Sequence, residues 1–391
     1  MTMLLRWFLS RTVRQATDLS HRVQKMLSAQ SDILSGEAVE AIAKPIADLR
    51  TAIRSGENQT VIAAQATNLE AVANKWLRPY PHAAMRENLD VIMVALVVAL
   101  GIRTFFLQPM AIPTGSMQPT LYGITQQDLR KQPDEKIPNG FIRAFLSLVK
   151  GASYYQVTAV ADGEFRGFEP PQTIFPLVKK QGLIVGDQHY TIWFPPEDFE
   201  KRAGLQHGEQ FRKGDDIIRL RVNSGDRLFA DRFTFNFRRP DRGEIVIFAT
   251  DGIEALQQGT HYIKRLIGLS ADKVQIGNDR RVIINGKRLD ASTPHFENLY
   301  SFQGPPRESS YSGHLNESVA DSYKKPLGIG DLFPNESAVF SVRPNYHFVM
   351  GDNTMNSYDS RYWGDFPREK IIGKCAFVFW PISSRFGWAV R

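Results

Sequence analysis

The peptide Ile112-Pro-Thr-Gly-Ser-Met-Gln-Pro-Thr-Leu121 begins shortly after an apolar run at residues 89–102. Its Ser116 lies between Gly115 and Met117, and the peptide contains a proline on each side of this serine, which stiffens the backbone. A hydroxyl at this position is held close to a segment that can enter a membrane. The peptide therefore predicts either a rigid turn, the usual role of Pro and Gly, or a nucleophile facing the bilayer.

Two later segments favour the nucleophile. The segment His261-Tyr-Ile-Lys-Arg-Leu-Ile-Gly-Leu-Ser-Ala-Asp272 places Lys264 in an alternating, strand-like stretch, and Met350-Gly-Asp-Asn-Thr-Met-Asn-Ser-Tyr-Asp-Ser-Arg-Tyr-Trp-Gly364 is dense in small polar residues. With these three blocks in this order, the chain resembles the type I signal peptidases, membrane-bound Ser/Lys proteases that remove signal peptides from exported proteins. The resemblance implies a mainly β catalytic domain built on antiparallel sheet, without a cofactor.

The resemblance implies a role for individual residues. Ser116 is the expected nucleophile, Lys264 the general base, and Ser357 the residue that orients the Lys264 amine by a hydrogen bond. The backbone N–H of Ser116 and the hydroxyl of Thr114, where the family more often has Ser, are the expected oxyanion hole. Small apolar pockets for Ala-like substrate residues are expected to be lined by Ile112, Met117, Leu121, Tyr262 and Ile263, although core residues give the same pattern.

The chain departs from the family pattern in two places. Thr354 stands where the family usually has a basic residue after Gly-Asp-Asn, and Ser270-Ala271 stands where it has Pro-Gly. The first departure removes the basis for a salt bridge from position 354. The second indicates an altered turn.

A lysine acts as a base near neutral pH only if desolvation lowers its pKa by several units. Lys264 has apolar and aromatic neighbours, yet residue type alone favours an ordinary exposed lysine beside an equally exposed Arg265, and it is the resemblance that favours a buried base. Two free carboxylates nearby would raise its pKa. We therefore assign Asp352, Asp359 and Arg361 to a structural network that supports the Ser357 loop.

The apolar run and its flanks, residues 89–108, predict one transmembrane helix, with a buried core helix as the alternative because the uninterrupted part is shorter than about 20 residues. Eighty-eight residues, many of them polar or charged, precede it, so it is expected to remain as an uncleaved anchor. Arg78 and Arg86 precede it closely, which places residues 1–88 in the cytoplasm and residues 109–391 outside the cell (inner) membrane.

Residues from about 10 to 78 show helical spacing of apolar residues, with breaks at Ser35-Gly36 and Ser55-Gly56. This pattern predicts a cytoplasmic helical hairpin or small bundle, and residues 3–9 could form a short amphipathic segment on the membrane surface. After residue 109, aromatic and β-branched residues alternate with turn signals, which predicts β-structure. Residues 122–219 are expected to form an inserted β-rich subdomain, with strands near 154–160 and 189–194, and residues 293–335 are expected to form surface loops.

Composition argues against a disulfide, a metal site and nucleic-acid binding. The single cysteine, Cys375, excludes an internal disulfide and a multi-cysteine metal site, and its apolar surroundings predict a small buried side chain. His347 and Cys375 lack the spacing of a metal cluster, so no metal is expected. The net charge of +7 comes from basic residues dispersed among acids, without a nucleic-acid motif, so a lipid bilayer is the expected partner of the basic residues and nucleic acid is not. The resemblance implies signal peptides of exported preproteins as the other partner. The sequence does not indicate an oligomeric state.

These observations predict a serine endopeptidase that removes N-terminal signal peptides after Ala-x-Ala-like residues. Two alternatives stay open. Self-cleaving repressors use a Ser/Lys dyad on the same broad fold, but they would require a DNA-binding module and an internal cleavage site. An inactive relative would use the insertion as a binding module, and its Ser116 and Lys264 need not meet.

Overall fold

A computed structural model describes residues 10–78, 83–132, 134–176, 178–302 and 313–388. The chain divides into two compact units, Met1–Val97 and Val98–Arg391. The amphipathic segment predicted at residues 3–9 lies outside the described residues.

The first unit contains the predicted helical bundle. Its helices are α1 (Arg11–Gln30), α2 (Gly36–Ser55) and α3 (Gln59–Trp76). The two predicted breaks are capping positions, since Ser35 accepts a hydrogen bond from the backbone of Ala38 and Gly56 adopts the left-handed conformation at φ 80°. The fully buried side chains of the bundle lie at helical spacing on α2 and α3, namely Ile42, Leu49, Ile62 and Leu69.

Helix α4 (Ala83–Phe105) contains the apolar run, and its window Asn88–Phe105 is long and apolar enough to cross a membrane. None of this window is buried against protein. The predicted span of 89–108 is too long at its end, because Leu107 and Gln108 already belong to strand β1 (Leu107–Ala111). Pro109 explains the difference, since a proline has no N–H to donate and disfavours helical backbone at the residue before it.

An eight-stranded antiparallel sheet forms the centre of the second unit. Along the sheet the order is β1, β10, β19, β11, β12, β17 and β18, and β20 pairs with β19. The strands after β1 are β10 (Arg227–Asp231), β11 (Ile245–Ala249), β12 (His261–Gly268), β17 (Tyr346–Met350), β18 (Phe366–Pro367), β19 (Ile371–Trp380) and β20 (Gly387–Trp388). Strand β12, which carries Lys264, is therefore an interior strand between β11 and β17.

The predicted insertion is β-rich and forms two further sheets. The first has the order β2, β9, β3; the second has the order β5, β6, β4, β8, with β7 paired to β6. Their strands are β2 (Thr125–Asp128), β3 (Ala152–Thr158), β4 (Gly163–Phe168), β5 (Gln172–Phe175), β6 (Val178–Val185), β7 (Gln188–Trp193), β8 (Gln210–Phe211) and β9 (Asp216–Asn223). The insertion also contains two helices absent from the sequence prediction, α5 (Gly140–Lys150) and α6 (Phe199–Ala203).

The structure corrects the surface loops predicted at residues 293–335 for 293–302 and 313–335; residues 303–312 lie outside the described residues. Phe296, Tyr300 and Phe333 are fully buried there, in a core shared with the four-stranded sheet β15, β14, β13, β16. The strands of this sheet are β13 (Lys273–Ile276), β14 (Val282–Ile284), β15 (Lys287–Arg288) and β16 (Phe340–Ser341). Helix α7 (Glu317–Ser322) lies between β15 and β16 in the chain. The prediction of surface loops followed from the many Ser, Pro and Gly residues of this stretch. It overlooked the few large apolar side chains that anchor the stretch in the core.

Candidate active site

Ser116 lies in the turn between β1 and β2, and its side chain is directed at Lys264. The turn is closed by two backbone hydrogen bonds, from Gln118 to Gly115 and from Leu121 to Met117. Ser116 is only 7% exposed. The two prolines and the turn therefore fix a hydroxyl that is almost wholly buried.

Lys264 Nζ donates a hydrogen bond to Ser116 Oγ at 2.8 Å. Lys264 is 4% exposed, and this burial lowers its pKa from 10.5 to about 8. The Asp359 carboxylate acts in the opposite direction and raises the pKa, whereas the Arg361 guanidinium lowers it. The amine is therefore close enough to neutrality to accept a proton at mildly alkaline pH.

Two buried ion pairs surround the lysine. Arg265 binds Asp352 in a bidentate pair, with Nε–Oδ1 at 2.7 Å and Nη2–Oδ2 at 2.6 Å. Arg361 binds Asp359 likewise, with both contacts at 2.9 Å. Both carboxylates are thus matched by a guanidinium, which limits their effect on Lys264.

Arg265 is almost fully buried and does not have the exposure that its residue type suggested. Besides Asp352, it donates to the backbone oxygens of Gly243 and His295. A guanidinium in a low-dielectric core needs such partners for its donors. The partners lie far along the chain, so the sequence around Arg265 gives no sign of them.

The loop after β17 holds the Ser116 turn. Asn353 donates from its backbone N–H to Ser116 O at 3.0 Å and from its side chain to Gly115 O at 2.9 Å. Thr120 donates to the Asp352 carboxylate. Asn353 and Thr120 were not identified as site residues from the sequence, although both lie within the blocks that carry the resemblance.

Thr354, the departure from the family pattern, is part of this support. Its Oγ1 accepts from Arg361 Nη1 at 2.9 Å and from the backbone N–H of Leu315 at 3.1 Å. His314 lies beside it, with Nε2 at 3.2 Å from Gly351 O and Nδ1 at 3.0 Å from the Tyr300 hydroxyl. Burial lowers the pKa of His314 to about 4, so this ring is neutral. His314, Leu315 and, through His314, Tyr300 thus bind the loop that carries Asn353.

Ser357 does not form the expected hydrogen bond. Its hydroxyl is buried and has no hydrogen-bond partner among the described residues. It packs against Gly351, at a place that a Cβ on that glycine would fill. The Lys264 amine is instead held by Ser116, although Ser357 and Lys264 line the same cavity.

That cavity has a volume of about 640 Å³. Of the residues predicted to bind substrate or stabilise the oxyanion, Ile112, Thr114, Tyr262 and Ile263 line it beside Ser116 and Lys264. Met117 and Leu121 do not line it; both are buried in the apolar core behind the cavity wall. The alternation of apolar residues could not distinguish a cavity wall from a core face.

Other titratable groups of interest are buried. Burial raises the pKa of the Cys375 thiol to about 12 and lowers that of His347 to about 4. In the described part of the chain, no three His, Cys, Asp or Glu side chains are grouped so that they could hold a metal ion.

Comparison with known proteins relates this geometry to one family. A family model described as signal peptidase, peptidase S26, matches residues 85–131 and 219–380, more than half of the chain, and leaves 132–218 unmatched. Signal peptidase I of Pseudomonas fluorescens is 30% identical over 249 residues, which make up 57% of this chain and 81% of that protein.

Two other relatives match a shorter part. A probable signal peptidase I-2 of Synechocystis sp. is 33% identical over 164 residues, and signal peptidase I of Leptolyngbya laminosa is 34% identical over 169 residues. Each match covers 42% of this chain, and they cover 58% and 64% of the respective relatives, less than two thirds of their length. A solved signal peptidase I of Enterococcus faecalis is 24% identical with a TM-score of 0.23, over 35% of this chain and 97% of that chain.

Proposed function

Since this chain belongs to the signal peptidase family, peptidase S26, we propose that it is a membrane-bound serine endopeptidase that removes N-terminal signal peptides from exported preproteins. One observation carries the proposal beyond family membership. Ser116 Oγ and Lys264 Nζ are 2.8 Å apart, in the wall of a cavity large enough for several substrate side chains.

The proposed reaction uses these two groups as a unit. The neutral Lys264 amine takes the proton of Ser116 as Oγ attacks the scissile carbonyl carbon, and the resulting ammonium returns the proton to the leaving amine when the C–N bond breaks. Water, deprotonated by the same amine, then attacks the acyl carbon, and the ammonium returns its proton to Ser116 Oγ as the ester bond breaks. The Ser116 N–H and the Thr114 hydroxyl are proposed to stabilise the oxyanion in both steps.

Substrate choice is proposed to follow from the cavity wall. Ile112, Tyr262 and Ile263 present apolar surface beside Ser116, which suits small Ala-like residues at the first and third positions before the cleaved bond. The side chain of Ser357 retains a buried and unpaired hydroxyl at this wall. A rotation of that side chain towards Lys264 during the reaction would satisfy it.

The proposed location is the cell membrane. The apolar window Asn88–Phe105 would cross the bilayer once, with residues 1–88 in the cytoplasm and residues 109–391 outside. The hydrogen bond between Ser116 and Lys264 argues against the alternative of an inactive relative, in which these two residues need not meet.

The test is incubation of the detergent-solubilised full chain with a model preprotein, analysed on a gel. Wild type and the control Ser337→Ala, which removes an exposed hydroxyl, are expected to release the mature product. Ser116→Ala is expected to release none. Normal turnover by Ser116→Ala would reject the mechanism, and intact preprotein with every variant, wild type included, would reject the enzyme in favour of the scaffold.

A further inference from the structure

Helix α5 exposes a face that is almost entirely apolar. Phe141 is 85% exposed, Leu148 is 77% exposed, and Ile142 and Phe145 are about half exposed. These four residues lie at i, i+1, i+4 and i+7, so they share one side of the helix. A soluble surface does not normally concentrate so many large apolar side chains in one helix.

The opposite side of α5 attaches the helix to the protein. Leu146 packs against a small core around Ala152 and Tyr154, and Arg143 Nη2 donates to Tyr154 O at 2.5 Å. Asn139 caps the helix by accepting from the backbone of Ile142. The apolar face is therefore directed outward by contacts on the other side.

The last turn of α5 is bound to the central sheet and its C-terminal extension. Trp380 Nε1 donates to Leu148 O at 2.6 Å, and the backbone N–H of Ile382 donates to Val149 O at 2.9 Å. Lys150 Nζ in turn donates to Ile382 O at 2.9 Å. These bonds occupy carbonyls at the helix C-terminus and fix the helix to the end of β19.

The sheet in question is the one that follows the apolar helix α4. In its register Trp380 lies opposite Arg227, and Arg227 lies opposite Ala111, the last residue of β1. Ala111 is four residues from Leu107, about 14 Å along the strand. Helix α4 ends at Phe105, two residues before β1 begins. Chain connectivity thus keeps the sheet that holds α5 close to the end of the proposed span.

We propose that α5 lies in the plane of the membrane and binds the lipid bilayer through Phe141, Ile142, Phe145 and Leu148. This inference rests on the proposed membrane span, but not on the proposed peptidase reaction. The helix contains Arg143 and Lys150 and no acidic residue, which suits an anionic lipid surface. The span already holds the chain at the bilayer, which gives α5 a high effective concentration at the membrane surface. Even a helix with low affinity for lipid therefore binds the bilayer most of the time. The helix lies in the part of the chain that the family model leaves unmatched.

The experiment uses the full chain in vesicles of phosphatidylcholine and phosphatidylglycerol. Phe141→Cys and Leu148→Cys each receive a maleimide-linked fluorophore that responds to polarity, one near each end of α5. Because Cys375 is buried and its pKa is raised to about 12, the introduced cysteine is the only reactive thiol. Val339→Cys is the control, since Val339 is also about half exposed but lies outside the insertion.

Vesicles are then prepared with phosphatidylcholine brominated in its acyl chains. Both α5 labels are expected to lose fluorescence to bromine, to a similar degree, while the Val339 label keeps its intensity. Loss at one end only would overturn the in-plane orientation. Two α5 labels that both stay unquenched, whether polar or shifted to the blue by contact with protein, would overturn lipid as the occupant. Activity measured on the same samples reports separately on the peptidase.

Discussion

At the scale of single residues, the account depends on the protonation of Lys264. Burial lowers its pKa to about 8, and only the neutral amine can accept the Ser116 proton. The neutral fraction rises with pH, so activity is lost as pH falls below that value. We expect kcat/KM to drop about tenfold for each pH unit below the pKa and to level off above it.

This pH dependence is measured on the free enzyme with a short peptide substrate. The profile should be unchanged in the control His347→Gln, since that ring lies outside the cavity. A kcat/KM that stays constant from about pH 6 to about pH 9 would contradict a lysine base with this pKa.

Thr114 supplies the second residue-scale prediction. If its hydroxyl stabilises the oxyanion, Thr114→Val, which keeps the branched shape without the donor, should lower kcat by roughly 10²–10³ with little change in substrate binding. Thr114→Ser should remain active. Equal single-turnover rates for the Val and Ser variants would instead assign Thr114 to shaping the turn.

Sequence reasoning at this scale reached the residues that the three ordered motif blocks carry and missed features that depend on how distant segments pack. The three blocks singled out Ser116 and Lys264, which the structure brings together. The burial of Arg265 was not predictable from its neighbours, because it depends on Asp352, 87 residues away. The Ser357 hydroxyl was expected to form a hydrogen bond with the Lys264 amine. Its orientation instead depends on how the side chain packs against Gly351, which the sequence does not reveal.

At the scale of elements, the loop after β17 holds Ser116, the proposed nucleophile, through the hydrogen bonds of Asn353. A Cβ on Gly351 would overlap both the Ser357 hydroxyl and the backbone oxygen of Ser116. Gly351→Ala is therefore expected to displace the Ser116 turn, to lower kcat strongly and to destabilise the fold by roughly 1–3 kcal/mol.

The matched control is Gly330→Ala, where the nearest atom to a new Cβ is Glu317 Cγ at 3.9 Å. This variant should keep its activity and its melting temperature. A Gly351→Ala enzyme with normal kcat and normal melting behaviour would show that the loop does not hold the nucleophile in place.

The elements themselves were predicted unevenly. The helical spacing and the Ser-Gly breaks gave the first three helices, since capping is a local property. Helix α5 was not foreseen because a run rich in Phe, Ile and Leu fits a buried strand or a helix equally well until the caps at Asn139 and Gly151 are considered. Buried anchors such as Phe296 were hidden in a stretch rich in turn residues.

At the scale of the whole molecule, the proposed orientation can be tested in cells. Protease added to intact spheroplasts should digest or release the region after residue 109 and leave the first eighty residues protected, because Arg78 and Arg86 favour the cytoplasmic side. Permeabilised spheroplasts, in which both regions are digested, are the control. Protection of the second unit instead of the first would reverse the topology.

The mainly β fold of the second unit was predictable from alternation and turn signals together with the resemblance. The order of strands was not predictable, because β1, β10 and β19 are neighbours in the sheet although more than a hundred residues separate each from the next along the chain. The role of the insertion was likewise absent from the sequence prediction. Its exposed helix became interpretable only when its attachment to Trp380 and Ile382 was visible.

The most direct test of the central claim is a double-mutant cycle on kcat with a model preprotein, using Ser116→Ala, Lys264→Ala and the double variant. If the two residues act as one nucleophile–base unit, each single change abolishes turnover and the double variant is no worse than either. Turnover that persists in either single variant, or losses that add in full in the double variant, would contradict the Ser116–Lys264 mechanism.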